Sequence, residues 1–207
     1  GVRVMVCVKV SATSANVGCG FDTLGLAVSL YAKFHFEEID SGLEFTGCDP
    51  QYANEDNLVY TSFLYALNYL KKEVKGLRIG IDSAIPNSRG LGSSAVCIVG
   101  GLVGAYALTN TPIDKQEILK LATEIEGHPD NVAPAIWGGL CASVMKEDGV
   151  ITLYHHLDER LLFQAMIPDY ETKTSDARKV LPKELPYQDI IYSLSRLPLV
   201  IDALKNY

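Results

Sequence analysis

The feature that most constrains this chain is a glycine-rich loop between an apolar, strand-like segment and a helix-like segment. Residues 86–95 read Pro-Asn-Ser-Arg-Gly-Leu-Gly-Ser-Ser-Ala, and they join residues 77–82 to residues 96–106. Glycines let backbone N–H groups approach an anion closely, and a helix start offers unpaired N–H donors at the positive end of its dipole. The loop therefore predicts a phosphate site, in which Ser93 and Ser94 offer hydroxyls to a phosphate oxygen or to Mg²⁺. A tight turn with a serine N-cap is the alternative that the loop alone leaves open.

The spacing excludes two common phosphate-binding loops. A Walker A loop ends in Gly-Lys-Ser/Thr, whereas serines follow Gly92 directly here. The dinucleotide-binding fingerprint needs a third glycine, and this loop has only Gly90 and Gly92. We therefore base the phosphate prediction on backbone amides and serine hydroxyls.

The rest of the chain mixes strands and helices without strict alternation, which favours an α+β fold over a doubly wound sheet. Valine at every second position from Val2 to Val10 predicts a strand with one buried face. Apolar residues at helical spacing predict a helix from Leu58 to Leu70. The other predicted elements are a loop at 11–20, strands at 25–39 and 77–82, a helix from Asp114, a hairpin at 139–154, and helices at 177–181 and 187–204.

Composition narrows the class of protein. The chain has 207 residues, a formal net charge of -7 and no cluster of Lys and Arg, so we expect neither a nucleic-acid partner nor an anionic membrane surface. The five cysteines contain no Cys-x-x-Cys pair, which argues against a disulfide framework or a structural zinc site and favours reduced thiols in the cytoplasm. The longest apolar candidate, residues 95–108, is too short to span a bilayer.

Three segments, taken together, resemble a known family. They are the glycine loop, residues 11–25 (Ser-Ala-Thr-Ser-Ala-Asn-Val-Gly-Cys-Gly-Phe-Asp-Thr-Leu-Gly) and residues 124–139 (Glu-Ile-Glu-Gly-His-Pro-Asp-Asn-Val-Ala-Pro-Ala-Ile-Trp-Gly-Gly). The loop resembles the second motif of the GHMP kinases, which phosphorylate galactose, homoserine, mevalonate and phosphomevalonate. The other two segments resemble the homoserine kinase branch of that family. Three motifs in family order are far more specific than one.

The resemblance implies the GHMP kinase fold. Residues 1–157 would form an amino-terminal, ribosomal-S5-domain-2-like domain that binds ATP. Residues 158–207 would start a ferredoxin-like carboxy-terminal domain, whose first apolar run is Leu161 to Ile167. The family's late glycine-rich motif has no counterpart after Gly149. We therefore expect the chain to lack a carboxy-terminal part of the family's length.

The resemblance also implies an activity, the transfer of the ATP γ-phosphate to the hydroxyl of L-homoserine in threonine biosynthesis, with ATP and Mg²⁺ required. One alternative is another GHMP kinase, acting on mevalonate or a sugar. The other is a truncated, non-catalytic ligand-binding domain, because the late motif is missing. Family members are often dimers, so a homodimer is an expectation from the resemblance, although the sequence itself does not fix the oligomeric state.

The nucleotide and metal contacts follow from the same resemblance. Mg²⁺ prefers hard oxygen donors, and the resemblance gives it Ser94 and Glu124, with Glu126 as the alternative. Asn57 is expected at the adenine edge, and a helix N-cap before Leu58 is an equal alternative for it. The expected nucleotide-binding residues are Asn57, Pro86, Asn87, Ser88, Arg89, Gly90, Leu91, Gly92, Ser93, Ser94, Ala95 and Val96.

The acceptor contacts complete the expected site. Asp22 would accept from the substrate ammonium, and Arg178, also assigned to catalysis, would bind its carboxylate through a planar fork. Asp130 lies where related sugar and mevalonate kinases have a catalytic Asp, although a loose phosphoryl-transfer transition state needs positioning more than a strong base. Turn chemistry for Asn16 and Asp22, and an exposed helix position for Arg178, are the open alternatives. The expected substrate-binding residues are Asn16, Asp22, His128, Asn131, Thr174 and Arg178.

Overall fold

A mixed six-stranded sheet forms the centre of the computed structural model, which describes residues 4–167, 169 and 178–206. The strands are β1 (Met5–Ala15), β2 (Leu24–Glu38), β3 (Gly42–Thr46), β4 (Gly76–Ser83), β5 (Leu140–Lys146) and β6 (Gly149–His155). The helices are α1 (Leu58–Leu70), α2 (Ser93–Leu108), α3 (Lys115–Glu126), α4 (Val132–Trp137) and α5 (Tyr187–Lys205). Thr174, expected at the substrate, lies outside the described residues.

The long strand β2 links the two halves of the sheet. The strands run in the order β3-β4-β2-β5-β6, and β1 pairs with β2 off this path. β3 and β4 are parallel, and every other described pair is antiparallel. β2 pairs with β4 through residues 32–38 and with β5 through residues 24–26. This mixed topology confirms the α+β prediction.

Helix α2 lies directly on β2 because two of its residues have no side chain. A Cβ on Gly100 would overlap the ring of Phe34, and a Cβ on Gly104 would overlap the ring of Phe36. Phe36 also stacks on Phe63 of α1, with ring centroids 5.3 Å apart. This close packing fixes the direction in which the first turn of α2 points.

Several elements begin and end where the sequence predicts. The helix over residues 58–70 is confirmed as α1, and the hairpin is confirmed as β5 and β6. Helix α3 begins after Asp114, whose carboxylate accepts hydrogen bonds from two backbone N–H groups of the first turn. The first half of the loop predicted at 11–20 is instead strand, because β1 continues to Ala15 and pairs with β2. The sequence predicts neither the short strand β3 nor the short helix α4.

The last described part of the chain returns to the amino-terminal part. Helix α5 confirms the helix predicted at 187–204, and it has no buried residue. The N–H group of Asp158 donates to the carbonyl of Leu204 at 3.0 Å, and the side chain of Val200 lies beside Gly18. The domain boundary at 157/158 stays a prediction. In the described part of the chain no helix has both the length and the apolar character needed to cross a membrane.

Candidate active site

The glycine loop turns sharply before α2 begins. Ser88, Gly90 and Gly92 have positive φ angles of 54°, 73° and 65°. Gly92 occupies the N-cap position, and among the described residues no side chain caps the helix. The N–H group of Val96 donates to the Gly92 carbonyl at 2.9 Å, so the N–H groups that precede it in the first turn are open to a ligand. The serine N-cap alternative is therefore wrong, and the helix start has the form that an anion site needs.

Gly92 also holds the loop against β1. A Cβ at this position would overlap the hydroxyl of Thr13. The N–H group of Thr13 donates to the carbonyl of Leu91 at 3.1 Å, and its hydroxyl donates to Asn131 Oδ1 at 2.9 Å. Thr13 is buried, and sequence reasoning missed it because it lies in the segment predicted as a loop. These contacts join β1, the loop and the start of α4 into one wall.

The carboxylate at the start of α2 belongs to Glu126. Ser94 Oγ donates to Glu126 Oε2 at 2.6 Å. Glu124 instead accepts a hydrogen bond of 2.7 Å from the hydroxyl of Tyr65. The hydrogen-bond partner of Ser94 is therefore Glu126, the alternative, and the assignment of Glu124 to Mg²⁺ stays a prediction that this geometry does not favour. The reason is helical phase, because two residues along an α-helix are rotated by about 200°.

The Ser94–Glu126 pair has the chemistry that Mg²⁺ requires. Burial raises the pKa of Glu126, and this outweighs the lowering by the Ser94 hydrogen bond and by His128. A cation beside the carboxylate would favour its ionised form. The described residues include no group of three or more His, Cys, Asp or Glu that could hold a metal. Two oxygen donors would leave the remaining positions around an ion to phosphate oxygens and water, as is usual for Mg²⁺ in proteins.

Asp130 is held inside the turn before α4. It is 2% exposed, and its Oδ1 lies 2.5 Å from His128 Nδ1 and accepts from the N–H group of Asn131 at 2.9 Å. The hydrogen bond with Asp130 raises the pKa of His128, although burial acts in the opposite direction. With this oxygen engaged twice, Asp130 fixes the positions of His128 and Asn131.

Two residues expected to bind opposite charges of the substrate are paired with each other. Arg178 donates two hydrogen bonds to the carboxylate of Asp22, at 2.6 and 3.0 Å, across 156 residues of sequence. Asn16 Oδ1 accepts from the N–H group of Asp22 at 2.8 Å, and both residues have positive φ. Asn16 thus holds Asp22 in place for Arg178, and because Asn16 also lines cavity A its contact with the substrate stays a prediction.

Two cavities meet at the glycine loop. Cavity A, of about 480 Å³, is lined by most of the predicted substrate and phosphate residues: Asn16, Ser88, Arg89, Gly90, Gly92, Ser93, Ser94, Glu126, His128, Asp130, Asn131 and Arg178. Cavity B, of about 850 Å³, lies on the other side of the loop and is lined by residues that include Cys48, Asn57, Asn87, Val96 and Cys97. Ser88, Ser93 and Ser94 line both cavities. Of the other predicted loop residues, Leu91 and Ala95 are buried and Pro86 is half-buried.

Asn57 forms part of the wall of cavity B as a helix cap. Its Oδ1 accepts from the N–H groups of Val59 at 2.9 Å and Tyr60 at 3.4 Å. Its Nδ2 donates to the carbonyl of Tyr52 at 2.8 Å. The N-cap role is confirmed, and because Asn57 also lines cavity B its contact with adenine stays a prediction.

The fold, the open helix start and the two joined cavities define a small-molecule kinase of the GHMP type. Residues 57–139 match the family described as GHMP kinases N terminal domain. The chain is 50% identical over 202 residues to a homoserine kinase of Clostridium botulinum, covering 98% of this chain and 68% of that protein. It is 46% identical over 205 residues to the homoserine kinase of Clostridium beijerinckii, with the same coverage of 98% and 68%.

A solved structure agrees with these relatives. The crystal structure of homoserine kinase from Cytophaga hutchinsonii matches with a TM-score of 0.81 at 27% identity, covering 99% of this chain and 68% of that one. The chain belongs to the homoserine kinase family.

Proposed function

We propose that this chain transfers the γ-phosphoryl group of ATP to the side-chain hydroxyl of L-homoserine, giving O-phospho-L-homoserine and ADP. The bond between the γ-phosphorus and the bridging oxygen of ADP breaks, and a bond from that phosphorus to the homoserine oxygen forms. The hydroxyl proton leaves through an oxygen of the transferred group to solvent. We place the reaction in threonine biosynthesis and in the cytoplasm, and a homodimer remains part of the proposal.

The observation that carries the proposal is the Asp22–Arg178 ion pair, of which Arg178 lines cavity A. A zwitterionic amino acid carries an ammonium and a carboxylate, which match Asp22 and Arg178 respectively. The substrate would therefore replace one ion pair by two, without leaving either side chain unpaired. Mevalonate carries only the carboxylate and galactose carries neither charge, so both would leave at least one member of the opened pair uncompensated.

The loop would hold the phosphates where the cavities join. We place the nucleoside in cavity B and homoserine in cavity A, because only the serines of the loop, Ser88, Ser93 and Ser94, line both. The terminal phosphoryl group would then lie at the start of α2, where first-turn N–H groups donate to its oxygens. This arrangement places the acceptor hydroxyl opposite the leaving ADP, as in-line transfer requires.

Charge neutralisation and positioning account for the chemistry without a strong base. Mg²⁺, held by Ser94 and Glu126 together with phosphate oxygens, would supply positive charge to the transferring group. Asp130 is engaged by His128 and by the backbone of Asn131, so it acts as a positioning residue for the side chains that face the substrate. A loose transition state tolerates this because proton removal is not the difficult step.

Coupled ADP release tests the proposal. The chain is assayed with Mg-ATP and L-homoserine, with mevalonate and galactose in parallel and with no acceptor as the control. We expect turnover that depends on homoserine alone. Turnover with mevalonate or galactose instead would support another GHMP activity. Binding of both ATP and homoserine without turnover would support the non-catalytic alternative.

A further inference from the structure

Arg89 carries an unused positive charge at the edge of cavity A. Its Nη1 is buried and makes no hydrogen bond within the described residues. The residue is half-buried and lies at the tip of the glycine loop. A buried guanidinium N–H without a partner is costly, and native proteins keep few such groups. Its presence points to an acceptor that a ligand supplies.

The other basic side chains of cavity A already have acidic partners. Within the described residues the basic groups lining the cavity are Arg89, His128 and Arg178. His128 pairs with Asp130, and Arg178 pairs with Asp22. Arg89 is therefore the one basic group of this described lining that has no carboxylate beside it.

The backbone fixes the position of Arg89 relative to the start of α2. Its two neighbours, Ser88 and Gly90, both have positive φ, so the chain turns on each side of it. The next residues are anchored, because Leu91 is buried and Gly92 lies against Thr13. Arg89 thus lines cavity A from a loop whose following residues form the helix start.

We propose that Arg89 binds the transferring γ-phosphoryl group from the acceptor side, a role that rests on the proposed kinase function. Arg89 lines cavity A but not cavity B, whereas Ser88, Ser93 and Ser94 line both cavities. The anion nearest to Arg89 is therefore the terminal phosphoryl group at the junction, and the α-phosphate lies further into cavity B. In phosphoryl-transfer sites a side-chain cation commonly stabilises the transferring group, and this loop has no lysine after its glycines. Arg89 donates hydrogen bonds and passes no proton.

The test compares a triphosphate analogue with a diphosphate. Affinities for Mg-AMPPNP and Mg-ADP are measured by calorimetry for the wild type, Arg89→Gln and Arg89→Lys. We expect Arg89→Gln to lose about ten- to a hundred-fold in affinity for AMPPNP and to keep its ADP affinity, because only AMPPNP carries the terminal group. Arg89→Lys should lose less. The matched control is Arg196→Gln on α5, where the guanidinium stacks on Tyr192, and both affinities should be unchanged.

Three results would overturn the inference. Equal losses for AMPPNP and ADP would make Arg89 a structural part of the loop, and a lower melting temperature of Arg89→Gln would support that reading. Weaker homoserine binding with AMPPNP affinity unchanged would make it a carboxylate-binding residue. A wild-type chain that binds neither nucleotide would refute the proposed function itself, and the role of Arg89 with it.

Added guanidinium ion provides a second measurement, because it should restore AMPPNP affinity to Arg89→Ala but not its melting temperature.

Discussion

Two glutamates of α3, Glu126 and Glu124, allow the proposed Mg²⁺ ligand to be tested against a close neighbour. Glu126→Gln removes the carboxylate charge beside Ser94 and keeps an oxygen that can accept the hydrogen bond from the Ser94 hydroxyl. Glu124→Gln makes the same chemical change two residues away, where the partner is the Tyr65 hydroxyl. We expect Glu126→Gln to raise the Mg²⁺ concentration needed for half-maximal activity. We expect Glu124→Gln to leave this concentration unchanged.

The contacts set the size of both effects. A hydrogen bond or ligand interaction with a charged group contributes about 1.5–3 kcal/mol, which corresponds to roughly ten- to a hundred-fold in the Mg²⁺ requirement. Burial raises the pKa of Glu126, so the fold disfavours its charged form in the absence of a cation. Glu126→Gln should therefore melt at the same temperature as the wild type or higher. Glu124→Gln removes only the charge from an exposed hydrogen bond, and it should cost less than about 1 kcal/mol of unfolding free energy.

The assay is homoserine-dependent ADP release over a Mg²⁺ titration at fixed ATP, accompanied by thermal melts of each variant in the absence of Mg²⁺. A normal Mg²⁺ requirement in Glu126→Gln, together with a raised one in Glu124→Gln, would refute the assignment. Equal Mg²⁺ requirements in both variants and the wild type would refute any role of this helix end in holding the ion.

Three further predictions follow from single contacts. Gly92→Ala places a Cβ at a positive φ against β1, and we expect it to lower the unfolding free energy by about 1–3 kcal/mol in urea titrations; an unchanged midpoint would contradict the packing of the loop. Asp22→Asn and Arg178→Lys should raise the KM for homoserine about tenfold or more and leave the KM for ATP unchanged, and the reverse pattern would place the pair at the nucleotide. Because the folded-state pKa of His128 is raised, its pairing with Asp130 stabilises fully below about pH 6.5, and this stability is lost as pH rises through the folded-state value. Thermal melts at a series of pH values from about 6.5 upward should show this loss of stability in the wild type and not in His128→Gln. Identical pH profiles for the two proteins would contradict the pairing of His128 with Asp130.

Local patterns were enough for the elements that end at strong signals. Helix α1 begins at the cap Asn57, and the hairpin forms around Gly149, so both were predictable from short windows of sequence. The extension of β1 through residues 11–15 was not predictable. That segment is made of serine, alanine and threonine, and its pairing with β2 rather than its own propensity makes it a strand.

The site was predictable where the residues are close in sequence and less so where the fold brings them together. The spacing did contain a signal for Glu126, which lies four residues after the buried Ala122 and eight after the buried Ile118, on the same side of α3. Glu124 lies two residues after Ala122 and therefore points to a different side of the helix. The bond between Asp22 and Arg178 joins two segments far apart in sequence, and each was predicted only as a ligand of the substrate.

Hydrogen exchange with and without ligands tests most directly whether phosphoryl transfer takes place where the two cavities meet. The chain is measured alone, with Mg-AMPPNP, with L-homoserine and with both. We predict that AMPPNP protects the backbone amides of the loop at 86–96 and that homoserine protects residues 16–22 and 128–131, with the strongest protection of Ser93 and Ser94 when both are bound. No protection of the glycine loop by AMPPNP, or no protection by homoserine in either segment, would contradict the account.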